Sequence, residues 1–414
     1  MMYLNLYYLK NKNFWCLLTL LYFNLVLGQD LSQYIEEAME NNPQIQAFEL
    51  QFKISEAKIE EVQTLPNTQF GIGYFISETE TRIGAQRLKV FAKQQLPWFG
   101  TITSRKNYKK ALSETKYEEI VLAKRKLIAA ISQSYYTLYA LNEKGRILEE
   151  NKTLLGTYKT LLLNAVTVGK ASAVAILKLQ LRQDEIQEIQ YKIEREQRTE
   201  ETHFNALLNR STNQKISIPE EITPPEKEGF DTAEKLSLHP ELLIYDKLYE
   251  SVIQSEWVNQ KESRPQVGLG LDYIAVDERL GLTINDNGKD MIMPSISVSI
   301  PIFNNKYKSK SLQNELKQKE ITFQKQERFN RLKVTLEKAI NERMSAQVSY
   351  KTQLTNSQQA DELSTLLLKN YETASIDFNE LLELQELQLK FKIKQIEAIH
   401  SYYKQTIIIN YLIN

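Results

Sequence analysis

Apolar residues recur along the chain with two different periods, and the alternation between them marks out its elements. Between residues 31 and 64, Leu31, Tyr34, Ile35 and Ala38, then Ile54, Ala57 and Ile59, stand at helical spacing ahead of Pro66, which stops the helix. The period then falls to two. Phe70, Ile72, Tyr74 and Ile76 alternate with Gly71, Gly73, Phe75 and Ser77, and Leu88 to Leu96 supplies a partner strand. The same switch returns where Val267, Leu269, Leu271 and Tyr273 alternate with Gly268, Gly270 and Asp272, ahead of Ser295 to Ile302. These segments predict four strands in two hairpins, with polar, glycine-containing loops at Glu78 to Arg87 and Val276 to Asp290.

After each hairpin the helical period is sustained for an unusual length, over 102–166 and again over 305–372. Each stretch is about 65 residues and would reach on the order of 100 Å, too long for a globular domain. Ile120, Leu127, Ile131, Leu138 and Leu141 step by 7, 4, 7 and 3, the spacing of a coiled-coil seam. The segments 31–64 and 172–209 are shorter and together match one long helix, so two short helices end to end are expected beside each long one. Residues 211–230, with Pro219, Pro224 and Pro225, form a proline-rich linker.

The pattern is written twice. Asn42-Pro43-Gln44-Ile45 is echoed by His239-Pro240-Glu241-Leu242, Leu65-Pro66 by Arg264-Pro265, and Leu96-Pro97-Trp98-Phe99 by Ile300-Pro301-Ile302-Phe303. Gly169-Lys170-Ala171-Ser172, with Leu177 and Gln180 beyond it, returns as Ala374-Ser375-Ile376-Asp377 with Leu382 and Gln385 beyond it. The order is kept while the offset grows in small steps, as loop insertions in a duplicated gene would produce. The expected organisation is repeat one at 29–210, with its hairpin at about 67–97 and a turn at 168–172; the linker at 211–230; and repeat two at 231–414, with its hairpin at about 266–302 and a turn at 373–377.

Four strands leave two open edges, and a two-stranded hairpin is marginal alone. Each strand sets an apolar face against one of Gly, Ser and Lys, the alternation of a transmembrane barrel, and is long enough to cross a bilayer when tilted. Four strands cannot enclose water, so several chains are expected to contribute; three copies give twelve strands and no edge. Tyr74, Phe75, Trp98, Phe99, Tyr273 and Phe303 are candidates for an aromatic girdle at the membrane boundary.

Composition narrows the class. Gly and Pro number 13 and 10, well under average usage, so turns are few. A mean hydropathy of −0.42 excludes a bundle of membrane-spanning helices. Lys and Arg total 52 against 52 Asp and Glu, which argues against a nucleic-acid-binding body. At the start, Lys10 and Lys12 precede the apolar run Phe14 to Leu27 and the small residue Gly28, so residues 1–28 are expected to be a secretory signal peptide. The sole cysteine, Cys16, falls inside that run, and the exported chain would rely on packing without disulfides.

The order of elements (helix with Asn-Pro, proline, strand pair, Pro-aromatic-aromatic, long helix, Gly turn and Leu-x-x-Gln helix, then a second round) resembles the TolC-like outer-membrane efflux factor family along essentially the whole exported chain. The resemblance implies a mainly α fold with a small β part: a trimeric twelve-stranded β-barrel in the outer membrane, continued by a long α-helical coiled-coil barrel through the periplasm. It implies an exit duct for small molecules or cations, partnered by a periplasmic adaptor (membrane fusion) protein and an inner-membrane pump, with no cofactor and no nucleic acid. The turns Val168, Gly169, Lys170, Ala171 and Ser172, and Thr373, Ala374, Ser375, Ile376 and Asp377, would be the tips that meet the adaptor. Glu380 and Glu383, in Glu-Leu-Leu-Glu where the family commonly has Asp-x-Leu-Asp, would form the periplasmic gate. They lie three apart, on one helix face.

Signals for chemistry are weak. His203, His239 and His400 are scattered without acidic or cysteine neighbours at ligand spacing. The Gly-x-Gly pairs at 71–73 and 268–270 fall within strands rather than at a phosphate turn. Met291 and Met293 begin a strand, and no nucleophile elbow or P-loop is visible, so no enzymatic activity is expected. A structural coiled-coil protein of the cell envelope, without a pore, is the alternative; a periplasmic adaptor would need compact β-domains for which the chain has no residues to spare.

Overall fold

In the computed structural model, the described residues are 31–169, 171–225, 233–281, 283–373 and 376–414. The expected signal peptide, Lys170, Ala374 and Ser375 lie outside them. Helices α1 (Leu31–Asn41) and α2 (Pro43–Glu61) come first, then strands β1 (Gln69–Thr81) and β2 (Gly84–Leu96), the long helix α3 (Thr101–Thr167) and helix α4 (Ala173–Leu207). The second round comprises a short 3-10 helix (Ala233–Leu238), α5 (Pro240–Glu262), β3 (Gln266–Asp277), β4 (Met291–Ser299), the long α6 (Lys306–Glu372) and α7 (Phe378–Ile413). Both long helices have 67 residues, and the helices that follow them have 35 and 36, so the duplication read in the prolines extends to element lengths.

Three expected boundaries move. Strand β4, expected over Ser295 to Ile302, runs Met291–Ser299 and ends there because Pro301 just beyond it has no amide hydrogen to extend the ladder. The helix expected over 31–64 is broken at Asn42, because Pro43 has no amide hydrogen to continue the ladder and instead starts α2. Asn42 fills the break: its backbone N–H bonds Ala38 O at 2.9 Å and its Nδ2 donates to Leu207 O at 2.9 Å. The loop expected over Glu78 to Arg87 shrinks to Arg82 and Ile83, since β1 and β2 stay paired to Thr81 and Gly84. Gly84 permits this with φ +132°, a backbone that side chains avoid, and Thr81 Oγ1 donates to its carbonyl at 2.7 Å.

The described residues fall into two compact units, each drawing on both sequence repeats. One comprises residues up to Pro43, Lys124–Leu236 and Leu332–Asn414. Its core is a set of helical seams. On α3, Ile131, Leu138, Leu148, Leu155 and Leu162 are buried, the last three in one cluster with α4 residues Ala175, Leu179, Ile186 and Ile193, which step by 4, 7 and 7. All five seam residues read from the sequence, Ile120, Leu127, Ile131, Leu138 and Leu141, are buried.

Tyrosine hydroxyls hold the linker to these helices. Tyr34 Oη accepts from Ser217 N at 2.9 Å, and Tyr139 Oη accepts from Ile222 N at 3.1 Å. Tyr403 Oη donates to Thr223 O at 2.8 Å. Tyr34 packs edge-on against Phe204 with centroids 5.0 Å apart, under the guanidinium of Arg210, which also pairs with Glu37.

The other unit comprises Gln44–Ala123 and Ser237–Arg331 and carries a four-stranded antiparallel sheet in the order β1-β2-β3-β4. The sheet joins the two hairpins edge to edge through β2 and β3, leaving β1 and β4 as its outer strands. Polar contacts fix the helices at its root. Arg105 donates twice to Glu262 Oε1, at 2.9 and 2.7 Å, while Glu256 accepts from Ser311 at 2.7 Å and Asn314 at 2.8 Å.

Candidate functional site

The two turns that link long and short helices converge. The first is set by Gly169 at φ +72°, whose N–H bonds Val166 O at 3.0 Å, while Val168 stands 66% exposed. Each following helix is capped by the residue expected to end the turn: Ser172 Oγ accepts from Val174 N at 3.1 Å, and Asp377 Oδ1 from Asn379 N at 2.9 Å. Lys178 Nζ donates to Asn379 Oδ1 at 3.1 Å, tying one hairpin to the other. Residues of both turns, among them Gly169, Ala171, Ser172, Ile376 and Asp377, line one cavity of about 520 Å³.

Beneath it lies an aromatic cluster that the sequence reading missed. Phe378, 3% exposed, meets Tyr158 and Tyr371 edge-on at 5.8 and 5.6 Å. Burial, and then the nearby Asp377 carboxylate, pushes the Tyr371 hydroxyl above its ordinary pKa of 10.0. The available signal was an aromatic residue directly after the Asp377 cap.

Glu380 and Glu383 are exposed on α7, whereas Leu381, Leu384 and Gln385 between and beyond them are buried. The carboxylates therefore flank the buried seam on its exposed side. Neither forms an ion pair among the described residues. Lys178, which matches Glu383 in the repeat, is exposed and engaged by Asn379, while Ala175, which matches Glu380, is buried.

In the sheet, register places the apolar alternates side by side. Phe70, Ile72 and Tyr74 sit opposite Ala92, Val90 and Leu88, which in turn face Leu271, Tyr273 and Ala275; Leu269 and Val267 then meet Ile296 and Val298. One face is thus apolar across all four strands, and it is uncovered: Phe70 is 77% exposed, Ile72 72% and Ile296 76%. The opposite face carries Gly71, Gly73, Lys89, Lys93, Gly268, Gly270, Asp272, Ser295 and Ser297.

The six aromatic candidates fall at two levels. Trp98, Phe99 and Phe303 follow the ends of β2 and β4, with Phe99 and Phe303 at 85% and 100% exposure. Tyr74 and Tyr273 lie further along, Tyr273 opposite Val90, six residues and so about 20 Å from Leu96. Phe75, half-buried, sits where the β1–β2 register shifts, between Tyr74 and Thr79. Tyr273 Oη donates to Asp290, which also accepts from Val276 N at 3.0 Å. Among the described residues, no helix is long and apolar enough to cross a membrane and no group of side chains has metal-ligand geometry.

No family model and no curated protein sequence matches the chain. Solved structures do. CusC, described for conformational changes accompanying transmembrane channel formation, superposes with a TM-score of 0.76 over 93% of this chain and 92% of its own, at 14% identity. The outer membrane protein VceC from the bacterial pathogen Vibrio cholerae gives 0.74, covering 92% of this chain and 95% of its own, at 14% identity. The Neisseria gonorrhoeae MtrE outer membrane channel gives 0.74, covering 92% and 88%, also at 14% identity. Coverage of both chains almost end to end makes the likeness one of the whole architecture: this chain has the fold of the TolC-like outer-membrane channels.

Proposed function

We propose that the chain is an outer-membrane efflux channel protein, three copies of which close a twelve-stranded barrel and provide an exit duct for small molecules or cations. The observation that carries this reading is the sheet. An apolar face continuous over four strands and open to the surroundings is costly in water, at roughly 25 cal/mol per Å² of apolar surface, and stable against lipid. Its outer strands, β1 and β4, carry unpaired backbone groups that further copies would satisfy.

Trp98, Phe99 and Phe303 at one level and Tyr74 and Tyr273 at another suit the two aromatic girdles that flank a barrel's apolar band of about 25 Å. In this reading the chain extends into the periplasm, the joined turns at 168–172 and 373–377 meet a periplasmic adaptor, and an inner-membrane pump supplies the energy. Glu380 and Glu383 form the gate. An exposed apolar sheet face disfavours a pore-free envelope coiled coil, which would have to cover it.

Reconstitution decides the matter. Protein extracted in mild detergent is expected to migrate unheated as a heat-modifiable trimer and to produce discrete conductance steps in planar bilayers. A monomer that stays soluble without detergent and gives no steps would overturn the proposal.

A further inference from the structure

The polar face of the sheet carries an unbalanced charge. Along β2 it presents Lys89, Phe91, Lys93 and Gln95, which pair across the ladder with Ile274, Asp272, Gly270 and Gly268 of β3. Lys89 Nζ lies 3.1 Å from Asp272 Oδ1, and the Asp272 side chain is 6% exposed, so these two charges cancel. Lys93 has no carboxylate partner among the described residues. It is exposed, with its ammonium 5.0 Å from the centroid of the Phe91 ring.

The backbone around Lys93 is cleared for it. A Cβ on Gly71 would meet Phe91 Cζ at 2.2 Å, so the missing side chain lets the ring lie flat across β1. A Cβ on Gly270 would meet Ser295 Oγ at 2.4 Å, and one on Gly268 would meet Ser297 Oγ at 2.4 Å. The serine hydroxyls therefore lean over bare backbone beside Lys93. The result is a groove of about 420 Å³ lined by Lys93, Gln95, Gln266, Ser295, Ser297 and Ser299, among others, in which Lys93 is the one charged residue. Gln95 Nε2 is taken up by Gln266 Oε1 at 2.7 Å, which leaves the ammonium beside the serine hydroxyls and the Gln266 amide, a setting that suits an anion.

We propose that Lys93 is a specificity-determining residue of the channel wall, drawing small anions such as chloride, carboxylates or phosphates into this groove. The inference rests on the barrel reading, in which the polar face is the lumen and three copies place three Lys93 ammonium groups on one ring. With Lys89 and Asp272 mutually neutralised, that ring dominates the local field out to a Debye length of about 10 Å at 0.1 M salt.

The test is the reversal potential of the reconstituted protein across a potassium chloride gradient, read at about 0.1 M and about 1 M mean salt. Lys93→Gln is expected to lower the chloride-to-potassium permeability ratio severalfold at low salt, Lys93→Glu to lower it further, and Asp272→Asn, which frees Lys89, to raise it. The differences should shrink at high salt. Conducting Lys93→Gln and Lys93→Glu channels with the wild-type reversal potential would overturn the role of Lys93 while leaving the channel intact. Absence of conductance from the wild-type protein would instead overturn the channel reading itself.

Discussion

Gln385 is the residue whose environment fits its chemistry least. It is 0% exposed on α7, beside buried Leu381, Leu384 and Leu389, and neither its Oε1 nor its Nε2 has a hydrogen-bond partner among the described residues. A buried polar group left unpaired costs about 1–3 kcal/mol. Gln385→Leu keeps most of the volume and removes both orphan atoms, so it is expected to stabilise the helical unit by about that amount. The readout is the midpoint of thermal loss of helical circular dichroism in detergent; a midpoint that falls would show that the amide has a partner in the assembled protein. Gln180, at the matching position of the first repeat, is exposed and serves as the neutral control. The sequence paired these two glutamines as equivalents. Their opposite burial was not legible, because it depends on which face of each hairpin is packed, and repeats do not record that.

Among the elements, the β1–β2 turn has the least latitude. Gly84 begins β2 at φ +132°, and a Cβ there would stand 1.7 Å from Asp277 O of β3, with no flexible side-chain atom to yield. Gly84→Ala therefore meets backbone strain of about 1–3 kcal/mol together with a clash that breaks the β2–β3 ladder at Ala85 and Asp277. It should abolish the heat-modifiable oligomer on unheated gels. Gly73→Ala, with nothing within 4 Å of the added carbon, should leave that oligomer unchanged. Gly73→Ala losing the oligomer as well, or Gly84→Ala keeping it, would contradict the assignment.

The same element shows what patterning can and cannot supply. Alternation marked the strands, most clearly in Phe70 to Tyr74 and Val267 to Tyr273, which carry an unbroken period of two. It cut the β1–β2 pair short at the turn, because Thr79, Glu80 and Thr81 are polar on both faces and extend the ladder only through backbone bonds to Gln86, Ala85 and Gly84. Likewise the Asn-Pro pair was legible as a repeat marker, yet its breaking of the first helix follows from Pro43 and is stabilised by Leu207, which is 165 residues away in sequence.

At the scale of the whole molecule, the candidate site was legible only as far as position. The order of elements located both turns and the acidic pair, but the Lys178–Asn379 bond joins residues 201 apart and could not be read from either segment. That bond bears on the proposed gate. With Lys178 occupied by a neutral amide, and with Leu381 and Leu384 turned into the seam, Glu380 and Glu383 keep their charge directed outward from α7. In a trimer the pair becomes six carboxylates around one axis, and like charges brought together are relieved by protons or by bound cations. A multivalent cation added on the turn side should therefore block the current, while potassium passes. Replacing both residues by Gln removes the charges at nearly constant size. Glu380→Gln with Glu383→Gln is expected to raise the half-blocking concentration of a divalent cation at least about tenfold, equivalent to ~1.4 kcal/mol of lost binding. Either single change should give an intermediate value, because each leaves three carboxylates in place. A double variant that conducts and is blocked at the wild-type concentration would place the constriction elsewhere and return Glu380 and Glu383 to an ordinary solvated helix face.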